Sequence, residues 1–198
     1  MISRKNYNSG FTLVETLAAI TLITIAIVAP MALTVQSLES AYYARDQITA
    51  SNLAQEGLEA IRSVRDGNIL SIAEGNAVTT LFQNIMPACS VSCYVDATAF
   101  KTPPTDLSPV ITACSGTCPV LRTNTTNPSV QLYGYVGTWT PTIFTRSITA
   151  TVVRNDGGGN AQELRITVTV GWKTAAYKSE QIQLSENLYD WVATGAAT

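Results

Sequence analysis

From Thr16 to Leu38 the chain carries no Asp, Glu, Lys or Arg, and one acid, Glu15, stands at the edge of this run, with the next charge at Glu39. Such a stretch exceeds the roughly 20 apolar residues that cross about 30 Å of hydrocarbon as a helix. It reads as a membrane span, so whatever folds after it folds on one side of a bilayer. Arg4 and Lys5 precede the run. Basic residues stay preferentially on the cytoplasmic side, so the N-terminus is expected in the cytoplasm and the bulk of the chain outside it. A secretory signal peptide shares the basic start, but its apolar core spans roughly 7–15 residues and ends at a small-x-small cleavage site. Here the run is longer and helical character continues beyond it. Glu15 is costly in such a place, about 2.5–3.5 kcal/mol at a bilayer centre on insertion scales, so it marks a function or a partner.

Downstream, "AYYARDQITASNLAQEGLEAIRSVRDGN" places Ala44, Ile48, Ser51, Ala54, Leu58, Ile61 and Val64 at steps of three or four. That spacing predicts one apolar face of an amphipathic helix, with Arg45, Asp46, Gln47, Gln55, Glu56, Glu59 and Arg62 mostly elsewhere. Asp66-Gly67-Asn68 is the expected stop. One helix from about Thr12 to Arg65 would run roughly 80 Å, half in lipid and half on a soluble domain. Two residues disturb it: Pro30 removes a backbone donor and is expected to kink the span, and Gly57 costs about 1 kcal/mol relative to Ala. Pro30 reads equally as a tolerated membrane-helix kink or as a point of functional melting.

After Gly67 the composition turns to Thr, Val, Ser, Asn, Gly and Pro, with turn clusters at "KTPPTD", "TNTTNPS" and "NDGGGN". In "ELRITVTVGW" Leu164, Ile166, Val168, Val170 and Trp172 alternate with polar or small residues, and "RSITATVV" repeats this through Ile148, Ala150 and Val152. The two predict a hairpin across Asp156-Gly157-Gly158-Gly159. "YKSEQIQL" and "VQLYGYVGTW" are candidate third and fourth strands. The expected fold class is α+β: a long N-terminal helix, membrane-spanning in its first half, packed through its apolar stripe on a C-terminal antiparallel sheet of three to five strands.

Cys89 and Cys93 ("CSVSC") and Cys114 and Cys118 ("CSGTC") are the four cysteines. Zinc is one reading of two matched pairs. An extracytoplasmic domain lies in an oxidising compartment, where an even count more often forms disulfides. Three connectivities are open, and the loop they staple, 86–125, lacks clear strand periodicity. There is no histidine, which removes Ser-His-Asp and Cys-His arrangements and histidine ligation. Asp96, Asp106, Glu163 and Glu180 are scattered, and "DGGGN" lacks the spacing of a calcium loop, so no enzyme, metal or cofactor is expected. A formal net charge of −2 with no basic tract points away from nucleic acid.

"G-FTLVETLAAI" resembles the class III signal sequence of type IV pilins and of the pseudopilins of type II secretion systems. The resemblance rests on the short basic leader, Gly10, Phe11, Thr12-Leu13-Val14 and Glu15. "NLAQEGLEAIRSVRD" is similar to the helix of minor-pilin-like members. The resemblance implies a pilin-like fold, cleavage between Gly10 and Phe11 by a prepilin peptidase at the cytoplasmic face, and N-methylation of Phe11. It implies that Glu15 and Phe11 set register in a filament of other pilin or pseudopilin subunits built at an inner-membrane assembly platform. The chain then reads as a prepilin leader over 1–10, a transmembrane and assembly helix over 11–38, an amphipathic helix over 39–67, and an extracytoplasmic β-rich domain over 68–198. Before assembly it would sit as a single-pass protein in the cytoplasmic membrane, and afterwards in a periplasmic or cell-surface filament. The competing reading is a single-span, membrane-anchored binding domain that never polymerises.

Overall fold

A computed structural model of the chain describes residues 10–75, 80–100, 109–124, 131–173 and 178–191. The chain divides into two compact units, Met1–Arg45 and Asp46–Thr198, and one helix, α1 (Leu13–Ala73), contributes to both. In the first unit every described side chain from Gly10 to Arg45 is exposed. The polar groups there are satisfied inside the helix, as a hydrocarbon setting demands. The hydroxyls of Thr16, Thr21 and Thr24 donate to the carbonyls of Leu13, Ala18 and Thr21 at 2.8–2.9 Å. Pro30 lies within α1, and the Thr34 hydroxyl donates to the Pro30 carbonyl at 2.6 Å.

In the second unit α1 buries Ala50, Leu53, Ala54, Gly57, Ala60, Ile61, Val64, Asn68 and Ser71, again at steps of three and four. This corrects the expected stripe. Ala44 is exposed, Ile48 is 64% exposed, and Ser51 and Leu58 are half-buried, while Ala50, Leu53 and Ala60 belong to the core. Small side chains define the true face, because they let the helix axis approach the sheet. A Cβ on Gly57 would lie 3.1 Å from Val168 Cγ1 and 3.2 Å from Arg146 Cδ, so close approach requires the residue that propensity alone disfavours.

The helix also runs past the expected stop. Asn68 is buried, donates to the Leu81 carbonyl at 2.7 Å and accepts from Asn84 at 3.1 Å, while Ile69 and Ile72 pack on the core. These contacts offset the roughly 1 kcal/mol propensity cost of Gly67. Termination falls to Gly75, whose φ of +75° suits a glycine beyond a helix end and whose N–H reaches the Ile72 carbonyl at 3.1 Å.

Beyond α1 come a single turn, α2 (Met86–Cys89), and strands β1 (Cys93–Phe100), β2 (Pro109–Ala113), β3 (Val120–Thr123), β4 (Tyr133–Gly134), β5 (Thr140–Asn155), β6 (Ala161–Lys173) and β7 (Ser179–Tyr189). All pairings are antiparallel. The long β5 is the spine of the sheet. One of its edges pairs with β6, which pairs in turn with β7; the other is shared between β3 (Val120↔Thr145) and β1 (Cys93↔Ile148), with β2 outside β1 and β4 outside β3.

The β5–β6 hairpin and the inward set Leu164, Ile166, Val168, Val170 and Trp172 match the alternation. Val152 does not. It is 40% exposed and lines an open cavity of about 320 Å³ with Phe82, Met86 and Pro87. The sheet has seven strands among the described residues, more than expected, because the cysteine region holds α2, β1, β2 and β3 and is no unstructured loop. "VQLYGYVGTW" contracts to the two residues of β4. "KTPPTD" and most of "TNTTNPS" lie outside the described residues.

Helix, spine and β1 meet at Arg146, whose side chain is fully buried. It donates to the mid-helix carbonyl of Leu53 (3.0 Å), to the Val95 carbonyl of β1 (2.7 Å) and to Glu56 Oε1 (3.0 Å). A buried cation needs several oxygens at once, and two elements, α1 and β1, supply them. Tyr135 lies close by; burial pushes its phenol above the ordinary value and the Arg146 guanidinium pulls it partly back. At the sheet edge, Glu186 of β7 points inward and binds Arg62 of α1, whose Nε donates to Oε1 at 2.9 Å. An inward charge on an edge strand also discourages edge-to-edge pairing.

The cysteines form two disulfides, Cys89–Cys93 and Cys114–Cys118, with Cα–Cα separations of 4.7 and 4.9 Å. Each bond closes its own turn of five residues, for which loop-closure entropy gives about 2 kcal/mol, less than a bridge across the whole region would give. The two meet at the start of β1: Cys93 pairs with Ala113 and Ile148, and the Cys114 N–H donates to the Ser92 carbonyl at 2.9 Å.

Candidate processing and assembly segment

Gly10, Phe11 and Thr12 precede the helix without regular structure, and α1 begins at Leu13. Thr12 caps it. The Thr12 carbonyl accepts the first helical bond from Thr16 N–H at 3.1 Å, and its hydroxyl accepts from Glu15 N–H at 3.3 Å. This is one arm of a capping box, Thr-x-x-Glu, and it was legible in the sequence although neither residue reads that way when Glu15 is weighed only as a membrane charge. Glu15 lies in the first turn, where a carboxylate meets the positive end of the helix dipole, worth about 0.3–1 kcal/mol at an exposed site.

Phe11 is 81% exposed, and a Cβ built on Gly10 would meet nothing within 4 Å. Gly10 and Phe11 are thus exposed in non-helical chain, the state in which a protease can bind backbone. Of the residues singled out from sequence, Gly10, Phe11 and Glu15 lie together within six positions at the helix start. Pro30 lies fifteen residues beyond Glu15 on the same helix, and the four cysteines belong to the other unit. The basic leader residues Arg4 and Lys5 lie outside the described residues, as does Asp106.

No group of three or more His, Cys, Asp or Glu side chains is placed to hold a metal among the described residues. The Asp156 carboxylate is occupied by its own turn, accepting from the N–H groups of Gly158 (2.9 Å) and Asn160 (2.7 Å) and from Asn160 Nδ2 (3.1 Å). These bonds, those of Asn160 foremost, hold its pKa below the ordinary value.

An exposed non-helical start at Gly10 and Phe11, a capped helix start with an acid in its first turn, and an apolar segment whose best 18-residue window has a mean hydropathy of 2.3 follow one another without interruption. Residues 5–29 match the family model described as the prokaryotic N-terminal methylation motif. The chain carries a class III prepilin signal. No curated protein and no solved structure matches the chain. The prepilin signal covers Gly10, Phe11 and Glu15 and ends one residue before Pro30. It points to a structural subunit precursor of the pilin or pseudopilin kind, anchored in a membrane before assembly and acted on by a prepilin peptidase. The helix-then-sheet arrangement is consistent with a pilin fold.

Proposed function

We propose that the chain is a minor-pilin-like or pseudopilin-like subunit of a type IV pilus or type II secretion filament. It is cut between Gly10 and Phe11, methylated at the new Phe11 amine, and packed into the filament through α1. The observation that carries this reading is the prepilin signal running into an apolar helix whose described side chains up to Arg45 are all exposed.

The capped helix start gives Glu15 a physical role. Cleavage creates an ammonium at Phe11, next to the N-cap, where the helix dipole is already positive and a second positive charge is disfavoured. In a bundle depleted of water that ammonium needs a counter-charge. Glu15 of a neighbouring subunit can provide it, so the costs of the two charges offset each other only inside the filament. That pairing would fix axial register, as one buried polar residue does in a coiled coil.

Two measurements test the reading. The native N-terminal peptide should begin at methylated Phe11, and Gly10→Val should leave 1–10 attached, because a branched side chain crowds the open bond. Filaments built of subunits that keep the leader would sink the proposal, and an uncut, dispersed membrane protein would favour the plain anchor. Glu15→Val should insert into membranes at least as well as wild type and yet be lost from sheared filaments, since an unpartnered buried charge costs about 3–5 kcal/mol. Wild-type incorporation of Glu15→Val would leave the acid with no role beyond the positive end of the helix dipole.

A further inference from the structure

The two disulfides share a spacing and differ in everything around them. Cys89 and Cys93 are fully buried in the core that α1 and the sheet form. Cys114 and Cys118 are half-buried and close a turn whose three inner residues, Ser115, Gly116 and Thr117, are all exposed. Gly116 takes a φ of +86°, so the turn presents an open rim to solvent. Reagents reach an exposed disulfide from the native state, whereas a buried one waits for the core to open.

A second feature separates them. Cys118 Sγ lies 3.7 Å from the Cys93 carbonyl oxygen. In the disulfide that sulfur has no proton to offer. On reduction that sulfur gains an S–H, and the Cys93 carbonyl is an acceptor within reach of it, which favours the thiol form of this pair. Disulfides that reagents can reach in the native state are the labile ones.

We propose that Cys114–Cys118 is a thiol–disulfide exchange site on the folded domain, open to a dithiol reductant, while Cys89–Cys93 is a permanent structural bond. A thiolate of the reductant attacks Cys114 Sγ, forming a mixed disulfide as the Cys114–Cys118 bond breaks. Cys118 leaves as a thiolate, takes a proton from water and donates it toward the Cys93 carbonyl. The second thiol of the reductant then attacks its own mixed-disulfide sulfur, releasing Cys114. Two electrons pass from reductant to protein, and the reductant leaves as a disulfide. The turn that carries the chain from β2 to β3 is thereby released from its covalent closure, while the Cys114 N–H to Ser92 hydrogen bond continues to hold its base.

The test uses the full chain in detergent micelles, with dithiothreitol as the dithiol probe. Timed acid quenches, differential alkylation and peptide mass mapping give the reduction rate of each pair. The native protein should show Cys114–Cys118 reduced about tenfold faster or more, and the gap should close to within about twofold in concentrated guanidinium, because access is what separates the pairs. Equal native rates, or faster reduction of Cys89–Cys93, would overturn the proposal. So would a gap that survives unfolding, since local sequence and not the fold would then be its cause.

Discussion

The two stretches of α1 make the same hydrogen bonds for different reasons. Over 13–45 every described side chain faces outward and the polar hydroxyls turn back on their own helix, so nothing in the chain's own core selects the conformation. Over 46–73 one narrow face of alanines, a glycine, a few larger apolar residues, Asn68 and Ser71 is buried, and the rest is half-buried or exposed. The first stretch is an element waiting for lipid or for other helices. The second has its partner within the chain. Burial in the second unit should therefore govern stability without touching membrane retention, and changes in the first should do the reverse.

Arg146 offers the largest way to break that comparison. Arg146→Ala removes the donor for the Leu53 and Val95 carbonyls and opens a cavity where a whole side chain is buried, so the folded domain should lose about 3–5 kcal/mol. Arg146→Lys keeps the charge without the planar fork and should fall between. Thermal unfolding followed by circular dichroism measures both, while membrane fractionation of the same variants should match wild type. If Arg146→Ala left the membrane as well, the two stretches would not be independent.

Gly57 sharpens the comparison from the helix side. Gly57→Val should destabilise the domain by about 1–3 kcal/mol, since its Cβ alone would press on Val168 and Arg146. The same change at a residue of the first unit, such as Ala19→Val, should leave domain unfolding where it is, because that side chain is exposed. Denaturant midpoints for the pair separate packing from propensity. A Gly57→Val protein as stable as wild type would show that the helix can shift along the sheet without loss.

What the sequence made legible follows the same division. The N-terminal segment is read residue by residue because composition and motif carry it: a charge-free run, a basic start, and Gly10, Phe11 and Glu15 at fixed places. The β5–β6 hairpin is legible because both faces alternate cleanly over many residues. The helix face was misplaced by about one position, since alanine counts as weakly apolar in a periodicity search although it is the residue that lets helix and sheet approach. β2 and β3 were missed because they are only five and four residues long, and β1 because a buried Asp96 next to Val95 breaks its alternation. Arg146 did leave a signal. It occupies the same parity on β5 as Ile148 and Ala150, and a cation at an inward position is a buried-network marker that pattern matching on apolar residues passes over.

The smallest effect is expected at Asp156, where the second unit meets water. Asp156 is half-buried, and the turn's own donors hold its pKa below the ordinary aspartate value of about 3.9. A depressed folded-state pKa means that the charged form is favoured by folding. That contribution is fully present above the unfolded-state value and disappears as pH falls through the depressed one. Asp156→Ala should therefore melt slightly below wild type at neutral pH, by less than Gly57→Val, and the difference should shrink once the pH drops below about 4. Melting curves of both proteins at a series of pH values, at fixed ionic strength, measure this. A difference that stays constant down to low pH would mean that Asp156 stabilises the hairpin through backbone conformation, with its charge contributing nothing. A difference that grows on acidification would contradict the hydrogen-bond account altogether, because protonation would then be removing more from the variant than from the chain that owns the carboxylate.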